Sequence, residues 1–494
     1  MNELEKLYAF TEVEQNQIVQ LKRLFERIDG DAAFRKAVNE NNITPAQWDR
    51  LRSIGLDFAP PDIAFLGEIP DKVCKYVTEM LVNSYEQLEP EMLEAARRYP
   101  LLKLWGRYLQ ENSRSFTCEC ETMPDSSNKK FAAWRQRRIA AVKSELGSCG
   151  YIISHPGLAF ELSEGCSVGC WFCSFAADKL KGYLDYHTRR DYFRRIVWYC
   201  VDILGREQVA MAVPYHSTEP YDNPSYIDFL KEYEEITGAV LFTSTARGNN
   251  IAWVRQLLEY YRKGSYPRFR LSVLSLAMLN KIHANFSPME LRNVELFMQM
   301  KDHPREKVAG GRLLKEIDGL RGEQDLTSKQ ELKIPQGSIA CVSGFCINLV
   351  NKSVTLTSPC YTCRKWPYGF RVFDKATFND ENDFSQVIQA MIERNMPLSP
   401  PKDKPLRFRD DMVFRSTEDG FDLLTPNQIH HFKVKGKCGP LGELIAAGDN
   451  TYAMVTEQLV KEHGINPLII MKAVQKLFDR GFLDELVNER NEQI

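Results

Sequence analysis

No stretch of this 494-residue chain is apolar for the roughly 18–20 residues that a membrane-spanning helix needs. The first residues, MNELEKLYAF, are acidic at the front and lack the cationic start and apolar core of an export signal. An excess of charge of either sign is missing as well: 64 Lys and Arg face 66 Asp and Glu, for a formal charge of −2. That balance argues against a strongly basic nucleic-acid binder. Solenoid repeats are absent, and 44% apolar with 26% charged residues is a globular composition. A soluble, cytoplasmic protein with neither membrane nor nucleic-acid partners is therefore expected. The length exceeds one ordinary core and predicts roughly two to four domains.

Thirteen cysteines are present, an odd number spread along a chain with no export signal, which speaks against a disulfide framework. Their placement is uneven. Cys166, Cys170 and Cys173 fall within eight residues, and Cys341, Cys346, Cys360 and Cys363 form a second group. Cys74, Cys118, Cys120, Cys149, Cys200 and Cys438 are scattered and read as small buried hydrophobes.

Residues 1–148 predict a helical domain, with apolar positions at helical spacing over 17–27, 31–38, 71–81 and 90–98 and breaks at Gly30, Pro60, Pro70 and Pro100. The Lys- and Arg-rich stretch 129–143 reads as a solvated helix face, with a peptide groove as the sharper alternative. Over 149–335, short apolar strands (158–162, 209–215, 239–245, 269–276 and 294–299) alternate with helical stretches (192–204, 226–236, 251–262 and 312–320). A sixth strand is expected over 339–349. Such alternation predicts parallel βα units, an α/β sheet or open barrel with its ligands at the C-terminal strand ends. Residues 336–404 read as a hairpin, 339–349 with 353–357 turning at Asn351, then a cysteine-bearing loop and a proline-rich linker over 397–401. The remainder, 405–494, predicts three short strands and three helices in the order of a winged helix-turn-helix.

Cys166-Ser-Val-Gly-Cys170-Trp-Phe-Cys173 carries the most chemistry. Three thiolates on one loop suit three irons of a [4Fe-4S] cube and leave the fourth iron open, whereas structural zinc wants four ligands. The pattern Cys-x3-Cys-x-aromatic-Cys after a first barrel strand resembles the signature of the radical S-adenosylmethionine superfamily, with Phe172 in the aromatic place. The resemblance implies a partial (β/α)6 barrel. It also implies a cluster whose open iron chelates the methionine part of S-adenosylmethionine and reduces it to a 5'-deoxyadenosyl radical. Tyr215-His-Ser-Thr-Glu-Pro220 is similar to the superfamily's Gly-Gly-Glu-Pro stretch, with Ser217 and Thr218 in place of the glycines and Glu219 retained. Thr243 and Ser244 at the third strand, and Ser272 and Ser275 at the fourth, stand where the cofactor would be touched, although a polar residue at a strand end is more often a cap or turn former. Lys307-Val-Ala-Gly-Gly-Arg312 suggests a tight turn opening a helix, with room for an anion.

The second cysteine group admits three readings: an auxiliary iron–sulfur cluster, a hydrogen-atom donor, or buried structural thiols. The helical N-terminus, the Cys166 loop, the 215–220 stretch, the Ser358-Pro-Cys360 turn and the winged-helix unit together resemble radical peptide epimerases, which mature ribosomally made precursor peptides. That likeness implies removal of a Cα hydrogen from an L-residue and return of hydrogen to the opposite face by a thiol, with Cys360 first and Cys363 and Cys346 behind it. It implies a precursor peptide with a leader region as partner, and an electron donor such as flavodoxin or ferredoxin. The winged-helix unit then resembles a leader-binding module that takes a peptide as an added strand. From residue 441 onward nine acidic residues face five basic ones, a sign that opposes DNA. Residues 31–38 and 53–56 resemble the leader region of some precursors, and an amphipathic helix explains them too. Peptide crosslinking, radical methylation and a zinc-stabilised peptide-binding scaffold stay open as alternatives.

Overall fold

The computed structural model describes residues 10–69, 72–73, 88–121, 126–262, 269–304, 307–321, 337–433 and 439–485. Most of the expected 71–81 helix, Cys74, Cys438 and the side chains of Cys118 and Cys120 lie outside them. In chain order the described strands are β1 (Leu158–Glu161), β2 (Ser163–Glu164), β3 (Gly182–Tyr183), β4 (Thr243–Thr245), β5 (Phe269–Val273), β6 (Val294–Met298), β7 (Gly344–Asn348), β8 (Ser353–Pro359), β9 (Phe370–Thr377), β10 (Val413–Thr417), β11 (Gly420–Leu424) and β12 (Ile429–Lys433). The fold is mixed α/β with small separate sheets, and the described strands close no barrel. No described helix is long and apolar enough to cross a membrane.

The chain divides into two units. One comprises Met1–Met123, Glu219–Tyr221 and Phe242–Arg305. Its Glu12–Gly30 helix opens on a capping box in which Thr11 and Glu14 satisfy each other's backbone N–H. Asp31 caps the Ala32–Asn39 helix through Ala33 and Phe34, both at 3.1 Å, and pairs with Arg27. Leu21, Leu24, Phe34, Val38, Leu51, Leu56 and Phe65 fill the helical core. The leader-like residues therefore form an amphipathic helix and turn in which Phe34, Val38 and Leu56 are buried. β4, β5 and β6 form a parallel sheet in register Thr243↔Phe269 and Phe269↔Val294. Helices Ile251–Tyr261 and Leu276–Asn285 follow β4 and β5, capped by Asn250 and Ser275.

The other unit comprises Pro124–Thr218, Asp222–Leu241 and Glu306–Ile494. Its principal sheet has the order β1-β7-β8-β9, with β1 and β7 parallel and the remaining pairs antiparallel. The strand expected over 209–215 is reduced to one bridge, Ala159↔Val213. Residues Arg206–Val209 instead form a helical turn that runs on through bonds from Met211 to Gln208 and from Ala212 to Val209, and Pro214 cannot donate to a ladder. Beyond the hairpin the chain does not run straight to the linker. β9 pairs with β8, and the Glu381–Asn395 helix buries Phe384, Ile388 and Met391.

The Lys129–Leu146 helix is no solvated face. Arg135, Arg137 and Arg138 are all buried. Arg135 donates to the His155 carbonyl at 2.9 Å, while Arg137 and Arg138 share the Glu485 carboxylate. Charge content alone misleads here because each guanidinium has a specific acceptor in the fold. Residues 405–485 have the three antiparallel strands β10–β12 and the helices Gly439–Ala447, Tyr452–His463 and Pro467–Asp479, around Phe421, Leu423, Ile445, Val455, Leu459 and Val474. The β11–β12 turn is bonded to the end of the Lys129–Leu146 helix, through Thr425 to the Ser144 carbonyl and Asn427 to the Glu145 carbonyl, each at 2.8 Å.

Candidate active site

β1 delivers the chain to the loop that carries Cys166, Cys170 and Cys173. The base of the loop is pinched by the β2–β3 pair, Ser163↔Tyr183 and Glu164↔Gly182, and the Cys166 N–H donates to the Asp178 carbonyl at 2.9 Å. Asp222 holds its first turn, accepting from the Ser167 N–H at 2.8 Å and from the Ser167 hydroxyl at 2.5 Å. Arg312 holds the far side. Its guanidinium donates to the Cys170 carbonyl at 3.1 Å and to the Ala177 carbonyl, and its N–H donates to the Cys173 carbonyl at 3.0 Å. Gly311 sits at φ +52°, and a Cβ there would lie 2.3 Å from the Ser174 carbonyl oxygen and 2.4 Å from that of Cys173. The glycine pair does open the Gly311–Arg321 helix, and the turn is packed on the cysteine loop instead of standing open to an anion. Phe172 meets Trp171 edge-on at 5.4 Å, and Lys307 Nζ lies 5.8 Å from the Phe172 ring.

All three loop cysteines are half-buried, and among the described residues no group of three or more His, Cys, Asp or Glu side chains is gathered as a metal-binding cluster. The donor set is nonetheless chemically specific. Three thiols stand on one loop, and the carbonyls of Cys170 and Cys173 are already engaged by Arg312. Soft sulfur ligands of that kind fit an iron–sulfur group and not a hard-oxygen cation.

A second constellation lies on the β1–β7 pair. The register sets Ala159 opposite Cys346 and Glu161 opposite Asn348, so all four project from one face. His216, buried, reaches that face. Its Nδ1 is 3.3 Å from Glu161 Oε1 and its Nε2 is 3.8 Å from Cys346 Sγ. Asn348 donates to the other Glu161 oxygen at 2.7 Å, and Cys346 Sγ is also 3.6 Å from the Thr357 hydroxyl. The ring of Phe175, two residues past Cys173, meets the imidazole at a tilt of 56°, 4.5 Å between centroids. Burial disfavours charge on His216, but the Cys346 sulfur and the Glu161 carboxylate outweigh it and hold its pKa up to about 10. Sequence reasoning left His216 unassigned and missed Glu161, Asp222 and Arg312. An acidic residue closing a buried apolar strand, Leu-Ala-Phe-Glu161, was the available signal.

Ser217, in the place of a glycine, adopts φ +57°, the left-handed conformation that glycine takes most readily. Thr218 is half-buried, its N–H donating to the Tyr215 carbonyl at 3.4 Å. Glu219 belongs to the first unit. It is buried, accepts from the Thr245 hydroxyl, and accepts from the Ala246 N–H at 2.9 Å. The remaining expected cofactor contacts split between faces of the same sheet. Thr243 shares a face with Thr245, and its hydroxyl accepts from Tyr261 at 2.9 Å in the core. Ser244 and Ser272 are half-buried on the opposite face, beside the Arg270–Glu295 ion pair. Ser275 is exposed, and its hydroxyl caps the following helix through the Met278 N–H at 3.2 Å.

The second cysteine group is dispersed. Cys341 and Cys346 pack with Ala159, Val213 and Val342. Cys360 is fully buried among Trp366, Phe370 and Val372, where burial pushes its thiol pKa well up. Cys363 is exposed.

The chain is 32% identical over 485 residues to the uncharacterized protein y4wI of Sinorhizobium fredii (strain NBRC 101917 / NGR234), covering 97% of this chain and 90% of that protein. It belongs to the same family as y4wI. No family model matches the chain. No solved structure matches it.

Proposed function

We propose that this protein is a radical S-adenosylmethionine enzyme that converts an L-residue of a ribosomally made precursor peptide to its D-epimer. The observation that carries the proposal is the Cys166–Cys170–Cys173 loop at the C-terminal end of β1, held by Asp222 and Arg312. Support also comes from the left-handed backbone at Ser217 and from the anchored carboxylate of Glu219.

On this reading the three cysteines hold a [4Fe-4S] cluster, and the α/β fold is of the partial-barrel kind. With the cluster and S-adenosylmethionine bound, the site supplies a radical that abstracts a hydrogen atom from carbon. This chain's own residues supply the rest. Phe172, Ser217 and Thr218 line the cofactor's place, and a cysteine thiol returns hydrogen to the face opposite the abstraction. β12 is the edge of its three-stranded sheet and offers a leader peptide a strand to pair with. A one-electron donor of the flavodoxin or ferredoxin kind completes the cycle.

The test is anaerobic incubation of reconstituted, reduced protein with S-adenosylmethionine and a precursor peptide in D2O. Epimerisation adds about one mass unit per event and yields D-residues on hydrolysis, because a thiol proton exchanges with solvent. A loss of about two mass units per event, the outcome of crosslinking, rejects epimerisation. Colourless protein holding about one zinc and no iron rejects radical chemistry altogether.

A further inference from the structure

We propose that Cys346 is the thiol that returns hydrogen to the peptide radical, and that His216, oriented by Glu161, restores the proton to its sulfur. The inference rests on the function proposed above and adds to it the identity of the donor and its proton source.

Three observations place the site. Cys346 lies on the face of β7 that it shares with Ala159 and Glu161 of β1, the strand that leads into the cysteine loop. His216 bridges Cys346 and Glu161, at 3.8 Å and 3.3 Å. The ring of Phe175, two residues beyond Cys173, meets that imidazole in a tilted contact at 4.5 Å. The thiol is thus one imidazole removed from the segment that carries the cluster ligands. The titratable groups facing His216 are Glu161 from β1 and Cys346 from β7. Phe175 and Phe370 meet its ring, and the nearby Asn348 and Thr357 are uncharged.

Chemically the arrangement solves the problem of resetting the donor. In the first step the Cys346 S–H bond breaks and a Cα–H bond forms, leaving a thiyl radical on sulfur. One electron from a flavodoxin- or ferredoxin-type donor reduces the thiyl to a thiolate. The Nε2–H proton of the His216 imidazolium then passes to sulfur, and the imidazole is reprotonated from solvent while Glu161 holds Nδ1–H. A histidine whose Nδ1 is held by a carboxylate and whose Nε2 faces the sulfur is placed for that last transfer. Cys360, by contrast, packs with Trp366, Phe370 and Val372, and the charged groups that act on it are Arg371, Glu145 and Asp410, none of them an imidazole.

The test has two arms, both on the full chain. In the first, the apo-protein is labelled with 13C at histidine Cε1 and titrated by NMR, with H216Q assigning the signal. His216 should titrate above the ordinary histidine value, and E161Q should lower its midpoint by about one pH unit or more. A midpoint unmoved by E161Q overturns the role given to Glu161, and a midpoint that falls by as much in C346A shows a resting thiolate, which overturns Cys346 as an S–H donor. In the second arm, C346S and C346A should keep S-adenosylmethionine cleavage while losing solvent-deuterium gain by the peptide, and H216Q should stall after its first event. Deuterium gain retained in both Cys346 variants overturns the donor role and leaves the epimerase reading standing. If the wild-type protein cleaves no S-adenosylmethionine, the epimerase reading and the donor role fall together.

Discussion

Arg137 and Glu485, 348 positions apart in sequence, meet in the interior of one unit: Arg137 Nε donates to both carboxylate oxygens, at 3.1 and 3.0 Å, and Nη2 donates to Oε2 at 2.7 Å. Arg138 donates to the same carboxylate, and the Arg137 guanidinium lies 4.1 Å from the Phe478 ring centroid. One anion thus serves two buried cations and joins the Lys129–Leu146 helix to the end of the 405–485 segment. Replacing Glu485 with Ala leaves two guanidiniums buried without their counterion and should cost about 3–5 kcal/mol. Urea unfolding followed by circular dichroism measures it, and a loss below about 1 kcal/mol would show that water reaches the pair.

Gly311 makes a separable prediction. Gly311→Ala sets a methyl against the Cys173 and Ser174 carbonyls at a positive φ, so the cysteine loop must shift. Gly464→Ala has a comparable φ of +62° with nothing within 4 Å of the added Cβ. Both should lose about 1–2 kcal/mol from backbone conformation. Only Gly311→Ala should also lower the iron retained after reconstitution. Equal iron in the two variants would mean that the loop does not depend on this contact.

Two buried histidines set an acid limit. Burial first, then the nearby Arg135 and Lys143, lowers the pKa of His155 to about 3. Burial lowers that of His283 to about 4 against the opposing pull of Glu26. His155 Nε2 and His283 Nδ1 have no hydrogen-bond partner among the described residues. Because both values lie below the unfolded value near 6.5, their contribution is complete above that pH. It is lost as pH falls through about 4 for His283 and about 3 for His155. Each pKa unit is worth about 1.4 kcal/mol. The unfolding midpoint should therefore drop steadily below pH 6.5, and His155→Leu should flatten part of the slope. A flat profile from pH 7 to 5 would contradict this reading.

Glu219 accepts from both the Thr245 hydroxyl and the Ala246 N–H. Glu219→Gln keeps the shape but points an amide donor at one of those two donors. If this carboxylate orders the cofactor's place, S-adenosylmethionine affinity should fall by about 1–3 kcal/mol. Calorimetric titration of the reconstituted protein checks it, with Thr451→Ala, which removes the hydroxyl cap of the Tyr452–His463 helix, expected to bind normally.

The soft donor set of Cys166, Cys170 and Cys173 is readable from local spacing. So are the boundaries of most helices and of β10–β12, because caps, prolines and apolar periodicity act over a few residues. Tertiary structure decided the rest. It turned the apolar 209–215 run into a helical turn and a single bridge, because a buried segment can satisfy its backbone either way. It buried the arginines of the Lys129–Leu146 helix, whose acceptors lie as far off as Glu485. It also joined Glu161, His216 and Cys346, which are scattered over 185 positions and meet only through the parallel register of β1 and β7. The common reason is range. Ligand spacing on one loop is a property of a few adjacent residues, whereas the charge state of a buried group depends on side chains that only folding brings within a few ångströms.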